Sequence, residues 1–384
     1  MRHPWIAPPA AARARWTPVA LVGLLALTAC GQGEADEQAD EPQQDASPSE
    51  EVEAEPGVHV VAKLGPIADL VAMVGGERVE VSSLVPPGAD SHTYEPRPSD
   101  VGRLADADLF VGIGLELNPG AVSLASENLP EESVVLLGER YLDTEGLVFD
   151  HAHDEDGGHT HGDGDGGHTH GDGDEGHTHG DGDEGHTHGD EEAGDAPDDG
   201  PGPNPHVWTS LAAAADLVDG IADVLGETDP DGADDYRDRA EQARAEIEEL
   251  DERISEATAT IPEENRTLVV YHDAWSYFAR DHGLEMVTAV QPSDYSEPSA
   301  GEVRDIIELI REHDVPALFG SEEFDTEVLA VIAEETGATY VADLADDELP
   351  GEPGDPAHSY LGLMERNAGL IVDHLGGEPG ALRG

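Results

Sequence analysis

The chain has 384 residues, room for two domains and tails at ~150 residues per domain, so a small disulfide-stapled scaffold is excluded. Its 86 acidic side chains outnumber 18 basic ones, and the net charge of −68 repels phosphate backbones and excludes a nucleic-acid partner. A single Cys rules out an intramolecular disulfide and CxxC-type zinc or redox sites, leaving His and carboxylate to hold any metal.

Residues 1–29 carry Arg2, Arg13 and Arg15, then an apolar run from Val19 to Leu27, with no acid before Glu34. That is the pattern of a secretory signal peptide. It ends Leu27-Thr28-Ala29-Cys30, which resembles the bacterial lipobox, where cleavage leaves a diacylated Cys30 as a membrane anchor. The alternative is a signal peptide that merely ends near a Cys. Residues 30–57, rich in Glu, Asp, Gln, Pro and Ser, cannot bury apolar surface and read as an acidic tether.

From Val58 the pattern becomes strand followed by helix. His59 to Ala62 leads into a helix from Ile67 to Val74 stopped by Gly75-Gly76, then a strand from Val79 to Val85, a helix from Ser99 to Ala107 and a strand from Leu109 to Ile113. The alternation resumes with strands at Thr267 to Tyr271, Glu285 to Val290, Ala317 to Gly320 and Thr339 to Ala342. An α/β fold is expected, with two lobes at 58–229 and 263–384, each a parallel sheet flanked by helices. Between them, within 230–262, Asp234 to Thr258 lacks Gly and Pro and is dense in Ala, Glu, Arg and Leu, as a long connecting helix or an ordinary solvated helix would be.

Residues 150–203 form a His/Asp/Gly-rich loop in which His-Thr-His recurs with a nine-residue period at His159, His168, His177 and His186. Calcium-binding β-rolls share that period but need an apolar residue in each repeat, and none occurs here. His151, His153, His159, His161, His168, His170, His177, His179, His186 and His188, flanked by carboxylates, make a weak multi-site trap for zinc, copper or nickel. A solubilising spacer is the alternative.

Three other histidines lie in loops next to strands or helices. His92 follows Pro86-Pro87-Gly88-Ala89-Asp90-Ser91, His206 sits in Asn204-Pro205-His206-Val207-Trp208 before a helix from Leu211 to Leu225, and His272 sits in Tyr271-His272-Asp273-Ala274-Trp275 at a strand end. Strand ends are where α/β sheets bind ligands. His59, His282, His313, His358 and His374 have no such setting and read as structural or surface residues. Trp275, Tyr277 and Phe278 read as core.

These three stretches, with Ser359-Tyr360-Leu361-Gly362-Leu363-Met364-Glu365-Arg366-Asn367, resemble the metal-binding lipoproteins of bacterial ABC importers for zinc and manganese, the cluster A-I solute-binding proteins. The resemblance runs from Val58 to the C-terminus and implies two α/β lobes joined by a single long helix, with the metal between them. It implies His92, His206 and His272 as ligands, and Asp343, after the last strand, as the fourth. Asp346, Asp347 and Glu348 share that loop, and water is a further alternative. Glu322 or Glu323 is expected to hydrogen-bond a ligand. Ser91 stands where some zinc members carry an acid. Three imidazoles and a carboxylate suit Zn²⁺, with Mn²⁺, which favours oxygen, second. The implied protein is an extracytoplasmic lipoprotein, not an enzyme. It acts as a monomer, touches the membrane through its lipid alone and delivers zinc to a permease and its ATPase subunits. A surface zinc buffer and a zinc hydrolase are the rivals, though the chain has no HExxH motif. The acidity itself suggests a saline setting.

Overall fold

The computed structural model describes residues 57–143, 203–291, 298–322 and 327–382. Cys30, the signal and tether segments, the ten loop histidines and Glu323 lie outside the described residues.

The first half runs β1 (Val58–Ala62), α1 (Gly65–Gly75), β2 (Val79–Ser83), α2 (Pro98–Ala105), β3 (Leu109–Gly112), α3 (Pro119–Asn128), β4 (Val134–Leu136) and α4 (Leu137–Tyr141). Two helices follow, α5 (Leu211–Thr228) and α6 (Ala233–Thr258). The second half runs β5 (Thr267–Val270), α7 (Ser276–Asp281), β6 (Glu285–Ala289), α8 (Ala300–Glu312), β7 (Ala317–Ser321), α9 (Glu327–Thr336), β8 (Thr339–Leu344) and α10 (Tyr360–His374).

Both sheets are parallel and share one winding order, β2-β1-β3-β4 and β6-β5-β7-β8. The expected strands match seven of these eight; β4, only Val134-Val135-Leu136, is too short for periodicity to mark. Central strands β3, β5 and β7 are buried throughout, and β1 everywhere but at His59, because helices cover both sheet faces. In each sheet the strand order reverses beside the first strand, between β1 and β3 and between β5 and β7. Such a reversal opens a crevice at the carboxyl ends of the strands.

Helix α6 joins the halves as a connecting helix. Its 26 residues bury Tyr236, Ala240, Ala243, Ile247, Leu250, Ile254 and Ala257, alternating four and three apart, so one stripe packs along its whole length. The stripe lies in a hydrophobic core that also contains β1 and α1 residues of the first half and β5 and α10 residues of the second. A shared core under both sheets, rather than a flexible linker, fixes how the two carboxyl-end loop sets face each other. Two separate clusters cover the outer faces, around Phe110 in the first sheet and Leu318 in the second.

Candidate metal centre

Each expected histidine arrives on a different element. His92 lies in the loop between β2 and α2, His206 just before α5, and His272 directly after β5. The three side chains converge, with one ring nitrogen of each within 4.8 Å of the others. His206 Nε2 is 3.0 Å from His92 Nε2 and 2.9 Å from His272 Nε2. Zinc bonds of ~2.0–2.1 Å in a tetrahedron place ligand nitrogens about 3.3–3.4 Å apart, so the rings need to spread by only a few tenths of an ångström.

The surrounding bonds aim these nitrogens. Asn204 Oδ1 accepts both the backbone N–H of His206 at 3.0 Å and its Nδ1–H at 2.7 Å, which leaves the Nε2 lone pair facing the cluster. Asn204 Nδ2 donates to the Asp273 carbonyl at 2.9 Å, and Thr209 Oγ1 donates to the Ala274 carbonyl at 2.9 Å, so the His206 and His272 segments are stitched together. Gln291 sits beside the His272 side chain and favours its charged form. Asn118 Nδ2 donates to the carbonyls of Ser91 at 3.0 Å and Tyr94 at 2.9 Å, one on each side of His92. The turn that carries Asn118 includes Leu115, Glu116 and Asn118 at positive φ and is held by Lys63, whose Nζ donates to the Leu117 carbonyl at 2.6 Å.

The carboxylate beside the cluster is Asp347 rather than Asp343. Asp347 Oδ2 lies 3.9 Å from His92 Nε2 and Oδ1 lies 3.9 Å from His206 Nε2, and its side chain is 4% exposed. Strand β8 runs to Leu344, two residues beyond its expected end, so Asp343 is an exposed strand residue and the chain turns toward the cluster only afterwards. Pairing of Ser321 with Leu344 carries that extension. Glu322 pairs with Arg366 rather than with a histidine. Among the other described histidines, His59 faces Glu80, His282 contacts Ser255 and Asp251, and the side chains of His358 and His374 meet backbone carbonyls. Trp275, Tyr277 and Phe278 are core, as expected.

Burial governs the charges. It lowers the pKa of His92 and His272 to about 4 and drives that of His206 well down, with neighbouring rings adding to the shift at His206 and His272. The imidazoles are therefore neutral at pH 7, the form that donates a lone pair. Burial also raises the pKa of Asp347, against His272, Ser91 and Lys63, which favour its charged form. The fully buried Lys63 ammonium is pushed down to about 7 by the same cause, opposed by Asp347 and Asp90. Three neutral nitrogens, with one carboxylate beside two of them, are the donor types that suit a divalent ion.

The family model described as ZnuA, zinc-uptake complex component A periplasmic, matches residues 60–374. The chain belongs to this family. It is 37% identical over 319 residues to the high-affinity zinc uptake system protein ZnuA of Paracoccus denitrificans, covering 83% of this chain and 92% of that one. It is 26% identical over 319 residues to the manganese-binding lipoprotein MntA of Halalkalibacterium halodurans, covering 83% and 89% respectively. Its fold is similar to that of the periplasmic zinc binding protein TroA from Treponema pallidum, with TM-score 0.65 and 23% identity over 83% of this chain and 99% of that one.

In this ZnuA-family chain the terminal stretch from Ser359 to Asn367 serves the centre from behind. The Tyr360 hydroxyl donates to the Trp208 carbonyl at 2.7 Å, and Asn367 holds both the N–H and the carbonyl of Ala345, two residues before Asp347. Lys63, Asn118 and Gln291 were missed from sequence, and Asp347 was named there only as one of the acids sharing the Asp343 loop. Lys63 offers one signal, a lysine directly after an apolar strand that is buried except at His59.

Proposed function

We propose that this chain captures Zn²⁺ between its two halves through His92, His206, His272 and Asp347. It then delivers the ion to the permease and ATPase subunits of an ABC importer. The protein acts as a single copy outside the membrane, held there by acylated Cys30, and the ten loop histidines serve as an accessory trap. The observation that carries this reading is the convergence of three imidazole Nε2 atoms, with a buried carboxylate 3.9 Å from two of them. Zinc takes such a set tetrahedrally, whereas manganese favours more oxygen ligands, so zinc is the cargo rather than manganese. With Asp347 at the fourth corner no position remains for a nucleophilic water, which argues against a hydrolase.

X-ray absorption of the protein loaded with one zinc equivalent tests this. The expected shell is three imidazole nitrogens and one oxygen at ~2.0–2.1 Å, with one zinc displacing bound manganese. An oxygen-rich six-coordinate shell, or manganese retained against equimolar zinc, overturns the reading.

A further inference from the structure

Three consecutive residues after β8 each bond to one of the stretches that carry His92 and His206. The Asp346 carbonyl accepts the Trp208 indole N–H at 3.1 Å, the Asp347 carboxylate accepts the Ser91 hydroxyl, and the Glu348 carboxylate accepts the backbone N–H of Gly88. The first two bonds belong to the centre described above. The third does not, because its partner is the turn Pro86-Pro87-Gly88-Ala89, whose Ala89 N–H also bonds Glu348. Two prolines stiffen this turn, Ala89 N–H closes it on the Pro86 carbonyl at 3.2 Å, and Gly88 has φ 77°. Consecutive N–H groups presented by such a turn make a small receptor for one carboxylate.

A cavity of about 350 Å³ opens at the same place, lined by Pro86, Pro87 and Ala89 from the first half and Asp347, Glu348 and Leu349 from the second. Asp347 is part of its wall, whereas none of the three histidines lines it. We propose that Glu348 is a positioning residue for capture and release. Its bond to the Gly88–Ala89 turn latches the halves together one residue from Asp347 and sets how fast the ion leaves, without ligating it. This rests on the reading that the His cluster holds zinc.

The test uses the full chain loaded with one zinc equivalent and mixed with excess chromogenic chelator. Loss of a charge-assisted bond in Glu348→Ala is expected to speed release about tenfold. Glu348→Gln, whose amide oxygen still accepts an N–H, is expected to stay within about threefold of the unmodified chain. Visible spectra of the cobalt-loaded forms are expected to be identical, as are circular dichroism melts within a few degrees. Unchanged release in Glu348→Ala, or equal acceleration in both variants, overturns the latch. An altered cobalt spectrum overturns it too, by making Glu348 a ligand. Absence of tight zinc from the unmodified chain removes the metal-binding reading, and the latch with it.

Discussion

Asn204 accepts the Nδ1–H of His206 at 2.7 Å and so turns the ring's other nitrogen toward His92 and His272. The same side chain donates to the Asp273 carbonyl, next to His272, and therefore sets two of the three histidines at once. Asn204→Ala should weaken zinc binding about 10- to 100-fold, the usual cost of losing a group that orients a metal-ligating histidine. Isothermal titration, with circular dichroism confirming an intact fold, measures this. Unchanged affinity would show that packing alone orients His206.

Asp347 and Asp343 are separated by four residues and by opposite environments, one buried against the cluster and one exposed on β8. Asp347→Ala should abolish tight zinc binding to the cluster, and Asp343→Ala should leave it within twofold. Competition against a fluorescent zinc indicator separates the two, and the reverse pattern would return Asp343 to the site.

How much of this was legible beforehand follows from local chemistry. Strands buried on both faces write themselves as apolar runs, and helix α6 as a stretch without Gly or Pro, so the layers were readable. The three histidines were readable because each ligand-bearing loop carries its own Pro, Gly, Asn or Trp neighbours. The acid beside the cluster was not, because its identity depends on where β8 stops, and a register shift opposite Ser321 carries the strand two residues farther than its apolar pattern suggests. Lys63 and Asn118 act through backbone carbonyls distant in sequence, contacts that leave no periodic signal.

Asp100 supports the other side of the His92 loop. Burial opposes its charge, but the Arg97 N–H, the Arg103 guanidinium and the Tyr94 hydroxyl outweigh that and hold its pKa down to about 2. A depressed carboxylate stabilises the fold above its unfolded pKa of ~3.9 and loses that contribution as pH falls through the folded value. Asp100→Asn should therefore cost about 2 kcal/mol near neutral pH and progressively less between about pH 4 and pH 2. Urea unfolding of both proteins across that range measures the difference, and a pH-independent gap would contradict the assignment.

A net charge of −68 makes self-repulsion a large destabilising contribution in dilute buffer. Screening shortens its range to a few ångströms at molar salt. The melting temperature should rise between low-salt buffer and molar NaCl, as calorimetry can show. A flat or falling trend would mean that the acids are accommodated without screening.

The most direct test of the metal centre removes the loop that would compete with it. A chain beginning at Val58 with residues 151–190 deleted is titrated with zinc against a competing chelator, beside its His206→Ala form. The account predicts one tight zinc equivalent in the first and none in the second. No tight equivalent in the loop-deleted chain would contradict it and assign the metal chemistry to the His-rich segment.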